Sequence, residues 1–120
     1  MHTIKEKMSV KMDIPGAKVQ SEDGGAMTMG YMQFDAGTDF APLLEGLPDN
    51  LCQCEHWGYC FNGEIIVNYT DGTEERIGAG ETYHLPPGHT VRFEEKTSYV
   101  EYSPTQDLNV VLAHVGSKLG

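Results

Sequence analysis

Between Asn62 and Thr97 the chain cannot run in one direction for long. Turn-forming clusters interrupt it at Asn62-Gly63, Thr70-Asp71-Gly72-Thr73, Gly78-Ala79-Gly80-Glu81, Pro86-Pro87-Gly88 and Glu95-Lys96-Thr97. Glycine reaches positive φ at no steric cost, proline presets φ, and Asn and Asp bond to their own backbone, so each cluster favours a reversal. The pieces between them are short and rich in β-branched and aromatic residues, as in Glu64-Ile65-Ile66-Val67-Asn68-Tyr69. The spacing predicts strands at Cys54–Phe61, Glu64–Tyr69, Glu74–Ile77, Thr82–Leu85, Thr90–Glu94 and Ser98–Tyr102. Asn62-Gly63 reads as a type I′ hairpin turn. Short, evenly spaced strands predict an all-β sandwich or barrel.

The flanks are less regular. Lys5 to Met12 could pair as an edge strand, Ser21-Glu22-Asp23-Gly24-Gly25 reads as a plain turn, and the alternation in Ala26–Phe34 predicts another strand. Asp39 to Gly46 fits one helical turn, with Asp39 as cap and Gly46 as stop. The tail changes period. Ser103-Pro104-Thr105-Gln106 has the form of a capping box, and Leu108, Val111, Leu112 and Val115 then fall on one helical face. This predicts a C-terminal helix over 104–115, stopped at Gly116. It would pack on the outside of the barrel or on a partner subunit; the β-prone Val110-Val111-Leu112 leaves a strand as the competing reading.

A chain of 120 residues suits one domain with one modest core. The 18 acidic against 8 basic residues give a net charge of −10. Such a surface repels nucleic-acid phosphates and anionic lipid, so neither is an expected partner. No run of about 18 apolar residues exists to span a bilayer, and Met1-His2-Thr3-Ile4-Lys5-Glu6-Lys7 lacks the apolar core of a signal peptide. The expectation is a cytoplasmic protein. The three cysteines agree with a reducing compartment, being odd in number and crowded together.

Those cysteines carry the chemistry. Cys52, Cys54 and His56 lie at i, i+2 and i+4, which puts their side chains on one face if the backbone is extended. Thiolate sulfur and imidazole nitrogen both bind transition metals, and the combination selects zinc, iron, nickel or copper over magnesium and calcium. A second stretch, Gly80-Glu81-Thr82-Tyr83-His84-Leu85-Pro86-Pro87-Gly88-His89, adds His84 and His89 around a tight turn. The expected metal ligands are Cys52, His56 and His89, with Cys54 and His84 in reserve. Cys60, in an aromatic run, is expected in the core, as are Trp57, Tyr59 and Phe93 in wall or core. Asn50 reads as a turn residue, and His2 and His114 as surface residues. Glu101, on the last strand, is the candidate acid or base if it points inward. No Gly-rich phosphate loop, Gly-x-Ser-x-Gly elbow or Cys-x-x-Cys knuckle is present.

These segments together resemble the cupin superfamily of small β-barrels. Gly63-Glu64, Asp71-Gly72, Gly80-Glu81 and Pro86-Pro87-Gly88 follow its order of turns. Gly80, Pro86 and Gly88 match its second motif; the histidine that ends that motif would fall on Val91, and His89 stands just before it. Anchored on Gly63, the ligand positions of the first motif fall on Asn50, Cys52 and His56. The strings Cys52-Gln53-Cys54-Glu55-His56-Trp57-Gly58-Tyr59 and Pro86-Pro87-Gly88-His89-Thr90 look like a cupin subgroup with a variant site. The resemblance covers about residues 40–103. It implies a double-stranded β-helix, or jelly-roll, barrel with a short C-terminal helix, and pairing of two copies into a homodimer.

Three functions follow from that resemblance. One is a metal-dependent enzyme acting on a small molecule in the barrel: dioxygenase-like with iron, isomerase- or lyase-like with zinc, nickel or manganese. Another is a module that binds a small molecule or a metal and performs no chemistry. The third is a metal-free cupin, of the sugar-epimerase kind, in which His and Tyr move protons.

Overall fold

The β-branched and aromatic pieces do form strands, and they assemble into two facing antiparallel sheets. A computed structural model describes residues 1–119. Nine strands are present among them: β1 (Ser9–Ile14), β2 (Ala17–Gly24), β3 (Met27–Phe34), β4 (His56–Asn62), β5 (Glu64–Tyr69), β6 (Glu74–Gly78), β7 (Thr82–Leu85), β8 (His89–Arg92) and β9 (Thr97–Pro104). A short helix, α1 (Ala41–Leu44), precedes β4, and a long one, α2 (Thr105–Leu119), follows β9. The larger sheet has the order β1-β2-β3-β9-β4-β7 and the smaller the order β6-β5-β8.

Each sheet turns one face inward. On β4, His56, Gly58 and Cys60 are buried while Trp57, Tyr59 and Phe61 face out. On β9 the inward row is Thr97, Tyr99, Glu101 and Ser103. The sheets meet on aromatic rings: Phe34 of β3 stacks on Phe93, just beyond β8, with ring centroids 4.9 Å apart. Cys60, Ile65, Val67 and Leu85 complete that core. A second cluster joins Leu44 and Cys54 to Leu108, Val111 and Val115, so α2 lies across one end of the barrel against α1.

Several expectations need correction. Asn62-Gly63 does not close a hairpin, because β4 and β5 belong to different sheets. Gly63 has φ +81, and a Cβ there would stand 2.4 Å from the Lys96 carbonyl oxygen. The positive φ is used to carry the chain over a corner between the sheets. Ser21 to Gly24 is strand rather than turn; its polar side chains do not prevent ladder pairing of Ser21 with Gly30 and Glu22 with Met29. At the N-terminus, Lys5–Lys7 forms a 3-10 turn, and the edge strand starts only at Ser9. The helix covers Thr105–Leu119 instead of 104–115, because Pro104 still belongs to β9. Gly116 does not stop it. A mid-helix glycine costs about 1 kcal/mol relative to alanine, and the Ser117 hydroxyl donates to the His114 carbonyl one turn back. The helix packs on its own barrel, with its apolar face inward.

Close approach makes Gly58 sensitive. A Cβ there would meet the Val100 carbonyl oxygen at 2.3 Å and the Tyr83 ring at 2.5 Å, neither of which can yield freely. Gly58→Ala is expected to destabilise the fold by about 2 kcal/mol or more, as overpacking does. At Gly116 a Cβ meets nothing within 4 Å. Gly116→Ala is therefore expected to stabilise by up to about 1 kcal/mol through helix propensity. Urea unfolding of the two variants beside wild type measures both signs.

Candidate metal centre and its cavity

The two chemistry-bearing stretches are tied together by their backbones. Cys52 and His89 form an isolated antiparallel bridge, in which Cys52 N donates to His89 O at 2.8 Å and His89 N donates to Cys52 O at 3.2 Å. Gly88 N donates to the same Cys52 oxygen at 2.8 Å. His56 opens β4 on its inward row. The result is a cluster in which one donor atom from each of Cys52, His56 and His89 lies within 4.8 Å of the others. All three residues are buried, between 3% and 6% exposed.

The nitrogens are already sorted. His89 Nδ1 lies 2.8 Å from the Pro86 carbonyl, which can only accept, so Nδ1–H donates and Nε2 keeps its lone pair. His56 Nδ1 lies 2.6 Å from Ser103 Oγ and 3.5 Å from Glu101 Oε2. The Glu101 carboxylate on the Nδ1 side favours a proton there, and Nε2 then faces Cys52 Sγ, 3.5 Å away. A carboxylate or hydroxyl behind the imidazole is how proteins fix the tautomer of a metal-binding histidine. Glu101 is fixed in turn by Tyr83, whose hydroxyl donates to Oε1 at 2.7 Å.

Burial sets the protonation states. It lowers both His56 and His89 to about 4, the nearby His56 adding to the effect at His89, so both are neutral at pH 7 and able to ligate. It raises Cys52 to about 12, so this thiol stays protonated unless a cation replaces its proton. Burial also raises Glu101 to about 7, against the Tyr83 hydrogen bond, which pulls the other way. The donor set fits a transition metal: one sulfur and two imidazoles, with lone pairs converging and the far nitrogens anchored.

Of the two residues expected in reserve, Cys54 lies beside the cluster without joining the three converging donors, and His84 lies outside it. The segment from Cys52 to Glu55 is not part of a strand, so side-chain parity does not carry from Cys52 to Cys54. Cys54 is 0% exposed and packs with Leu44 and the apolar face of α2. His84 points out of the barrel on β7, where it pairs with Glu55 and stacks on Trp57 at 5.3 Å. Trp57 and Tyr59, expected in wall or core, also face out. Glu101 does point inward. Ser103 has the sequence pattern of a helix cap, which hides its role in the site; its hydroxyl is hydrogen-bonded to His56 instead. Its parity with Glu101 on β9 was the available signal.

The cluster sits in the wall of a cavity of about 250 Å³. Phe34, Phe40 and Leu85 come from the barrel side, and Leu108, Val111 and Leu112 from α2.

This architecture has known counterparts. No family model matches the sequence, and no curated protein matches it either. The solved structures do. A RmlC-like cupin from Shewanella frigidimarina aligns with a TM-score of 0.61 at 19% identity, covering 85% of this chain and 88% of its own. Ectoine synthase from P. lautus aligns at 0.61 and 17%, covering 87% and 76%. KdgF from Halomonas sp. aligns at 0.59 and 19%, covering 84% and 92%. The protein therefore has the cupin fold, a jelly-roll barrel closed here by a C-terminal helix. Among the described residues no helix is long and apolar enough to cross a membrane.

The shifted groups predict a stability profile. His56 and His89 bind fewer protons folded than unfolded between about pH 4 and 6.5, so they make stability rise with pH in that window. Glu101 binds more protons folded than unfolded between about 4.5 and 7, so it makes stability fall with rising pH. The two trends oppose each other. Glu101→Gln removes the falling one, and its stability is expected to climb more steeply than wild type between pH 4.5 and 7. Denaturant midpoints of metal-free protein across that range check the sign.

Proposed function

We propose that this protein holds one divalent transition metal through Cys52, His56 and His89 and uses it to act on a small molecule in the adjoining cavity. The observation that carries this is the convergence of three donor atoms within 4.8 Å in the cavity wall. Zinc, iron and nickel suit the donors. When bound, such an ion supplies Lewis acidity, or redox chemistry if it is iron. The protein's own part is to keep both imidazoles neutral, to hold their outer protons on Pro86 and on Ser103 with Glu101, and to screen the centre from water. Glu101 is the group placed to give or take a proton beside the substrate. Ectoine synthase among the similar structures, and oxalate decarboxylase from Bacillus subtilis at 13% identity and a TM-score of 0.60, are named as enzymes, which supports a catalytic over a purely binding role.

One observation favours a second reading. Tyr83, Glu101 and His56 form a continuous buried chain of polar contacts that could move a proton without any metal. Elemental analysis of protein purified without added metal separates the two readings. Iron, zinc or nickel near one per chain supports the first, and its absence supports the second.

Metal titration assigns the ligands. Zinc binding to wild type is expected at one per chain, tightening by about tenfold per pH unit if one thiol proton is released. Cys52→Ser, His56→Ala and His89→Ala should each weaken it by more than the roughly 10–100-fold that loss of an outer partner costs. Cys54→Ser and His84→Ala should leave it unchanged. Equal binding by all five variants places the site elsewhere.

The outer face of the larger sheet exposes Trp57, Tyr59, Phe61 and Tyr102, each 39–42% accessible. Such a patch is more apolar than a solitary barrel needs, and it supports the pairing of two copies face to face. Light scattering is expected to give about twice the 13.2 kDa chain mass. Tyr59→Lys combined with Phe61→Lys is expected to return the monomer. The buried free thiols suit a cytoplasmic setting.

A further inference from the structure

We infer that the molecule taken into this cavity has an apolar body of modest length and a single polar head, and that α2 selects it. The inference rests on the metal-centre reading for the head alone. The body is argued from the walls.

The walls are hydrocarbon on nearly every side. Met12 and Phe40 line the cavity from the barrel, and Leu108, Val111, Leu112 and Val115 line it from α2. An apolar helix face that served only to cover the barrel would pack flush against it. Here it stands off around about 250 Å³, forfeiting dispersion contacts that side chains could have made. That is room for several heavy atoms, since holding one water takes only about 10–15 Å³ of such a cavity.

Beyond the three converging donors the wall offers little to a polar substrate: among the described residues Thr90 Oγ1 is the one buried lining oxygen without a hydrogen-bond partner. The outer nitrogens of both histidines are spent on Pro86 and Ser103, and Glu101 Oε1 is spent on Tyr83. A sugar or polyol would bring many hydroxyls to a wall that could satisfy few of them, and each unsatisfied group costs affinity. The charges also argue against a polyanion. Among the described residues Lys11 is the only Lys or Arg lining the cavity, and it is exposed; the buried acid Glu101 faces an incoming anion. What remains is a short aliphatic or small aromatic molecule with one donor group, such as a hydroxyl, thiol, carbonyl or single carboxylate, that reaches Cys52, His56 and His89.

Two homologous series test the body and the head separately. Straight-chain alkyl hydroxamates carry a metal-chelating head, and 1-alkanols carry a head that does not chelate. Binding of both to zinc-loaded protein is measured by calorimetry. Affinity is expected to rise about fourfold per added methylene in both series. It should level off once the chain fills the cavity. Leu112→Phe narrows the cavity without adding polarity and is expected to move the plateau to shorter chains. Leu112→Gln is expected to flatten the rise. Circular dichroism confirms that each variant is folded. If both series lengthen in affinity but hydroxamates gain nothing over alkanols, the metal reading fails and the apolar pocket stands. If affinity is independent of chain length in both series, or oxalate binds as tightly as the best hydroxamate, the apolar pocket is overturned even where the metal binds.

Discussion

The site depends on one small piece of backbone pairing. Cys52 and His89 exchange amide hydrogen bonds although Cys52 belongs to no strand, while His89 opens β8, and Gly88 adds a third bond to the same carbonyl. The bridge joins the loop before β4 to the turn before β8, and so joins the two sheets near the end of the barrel that α2 covers. Without it, the Cys52 sulfur would be carried on a loop free to move relative to His89 at the head of β8. With it, their relative position is held by main-chain geometry. Thr70 N donates to Gly88 O on the other side of the turn, so the turn is braced from both directions.

From that bridge the chemistry extends inward by a series of pairings, each of which restricts the next. Pro86 fixes the tautomer of His89, and Ser103 with Glu101 holds the proton of His56. Tyr83 holds Glu101, and Gly58 leaves room for the Tyr83 ring. Burial then keeps the imidazoles neutral and the thiol protonated. Such a site is prepared for a cation yet carries no permanent negative charge from Cys52.

Much of the fold was legible because strand and turn signals act locally. β5 and β7 were placed at their true ends, and β6, β8 and β9 within a few residues, from turn chemistry alone. The signals failed where the same local conformation serves two long-range purposes. A glycine at positive φ after Asn62 suits a hairpin or a corner, and only the approach of Lys96 and Thr97 decides between them. Glu101, whose direction the sequence left open, points inward because it shares the buried row of β9 with Tyr99 and Ser103. Period-two parity could not decide the direction of the Cys54 thiol, because the argument requires unbroken extended backbone and the chain just before His56 is not a strand. His84 sits one residue out of phase with Tyr83 and Leu85, which the sequence could not orient without knowing which of them touches the core. Ser103 satisfied the pattern of a cap, and a hydroxyl can serve either a helix end or a histidine.

The place of β9 has a consequence for how the molecule is made. Although it follows every other strand in the chain, it lies in the middle of the larger sheet, with β3 on one side and β4 on the other. Until residues 97–104 leave the ribosome, β3 and β4 each present an open edge, and the Glu101 and Ser103 side of the site does not yet exist. A nascent chain paused before that point carries two unpaired strand edges and uncovered aromatic rings, the combination that recruits neighbouring chains into aggregates. Pairing between β3 and β9 also spans most of the sequence, so closing this sheet is expected to be slow compared with forming its local turns. For this barrel, synthesis of the final strand and helix is both the step that completes the pocket and the step that ends the period of greatest exposure to misassembly.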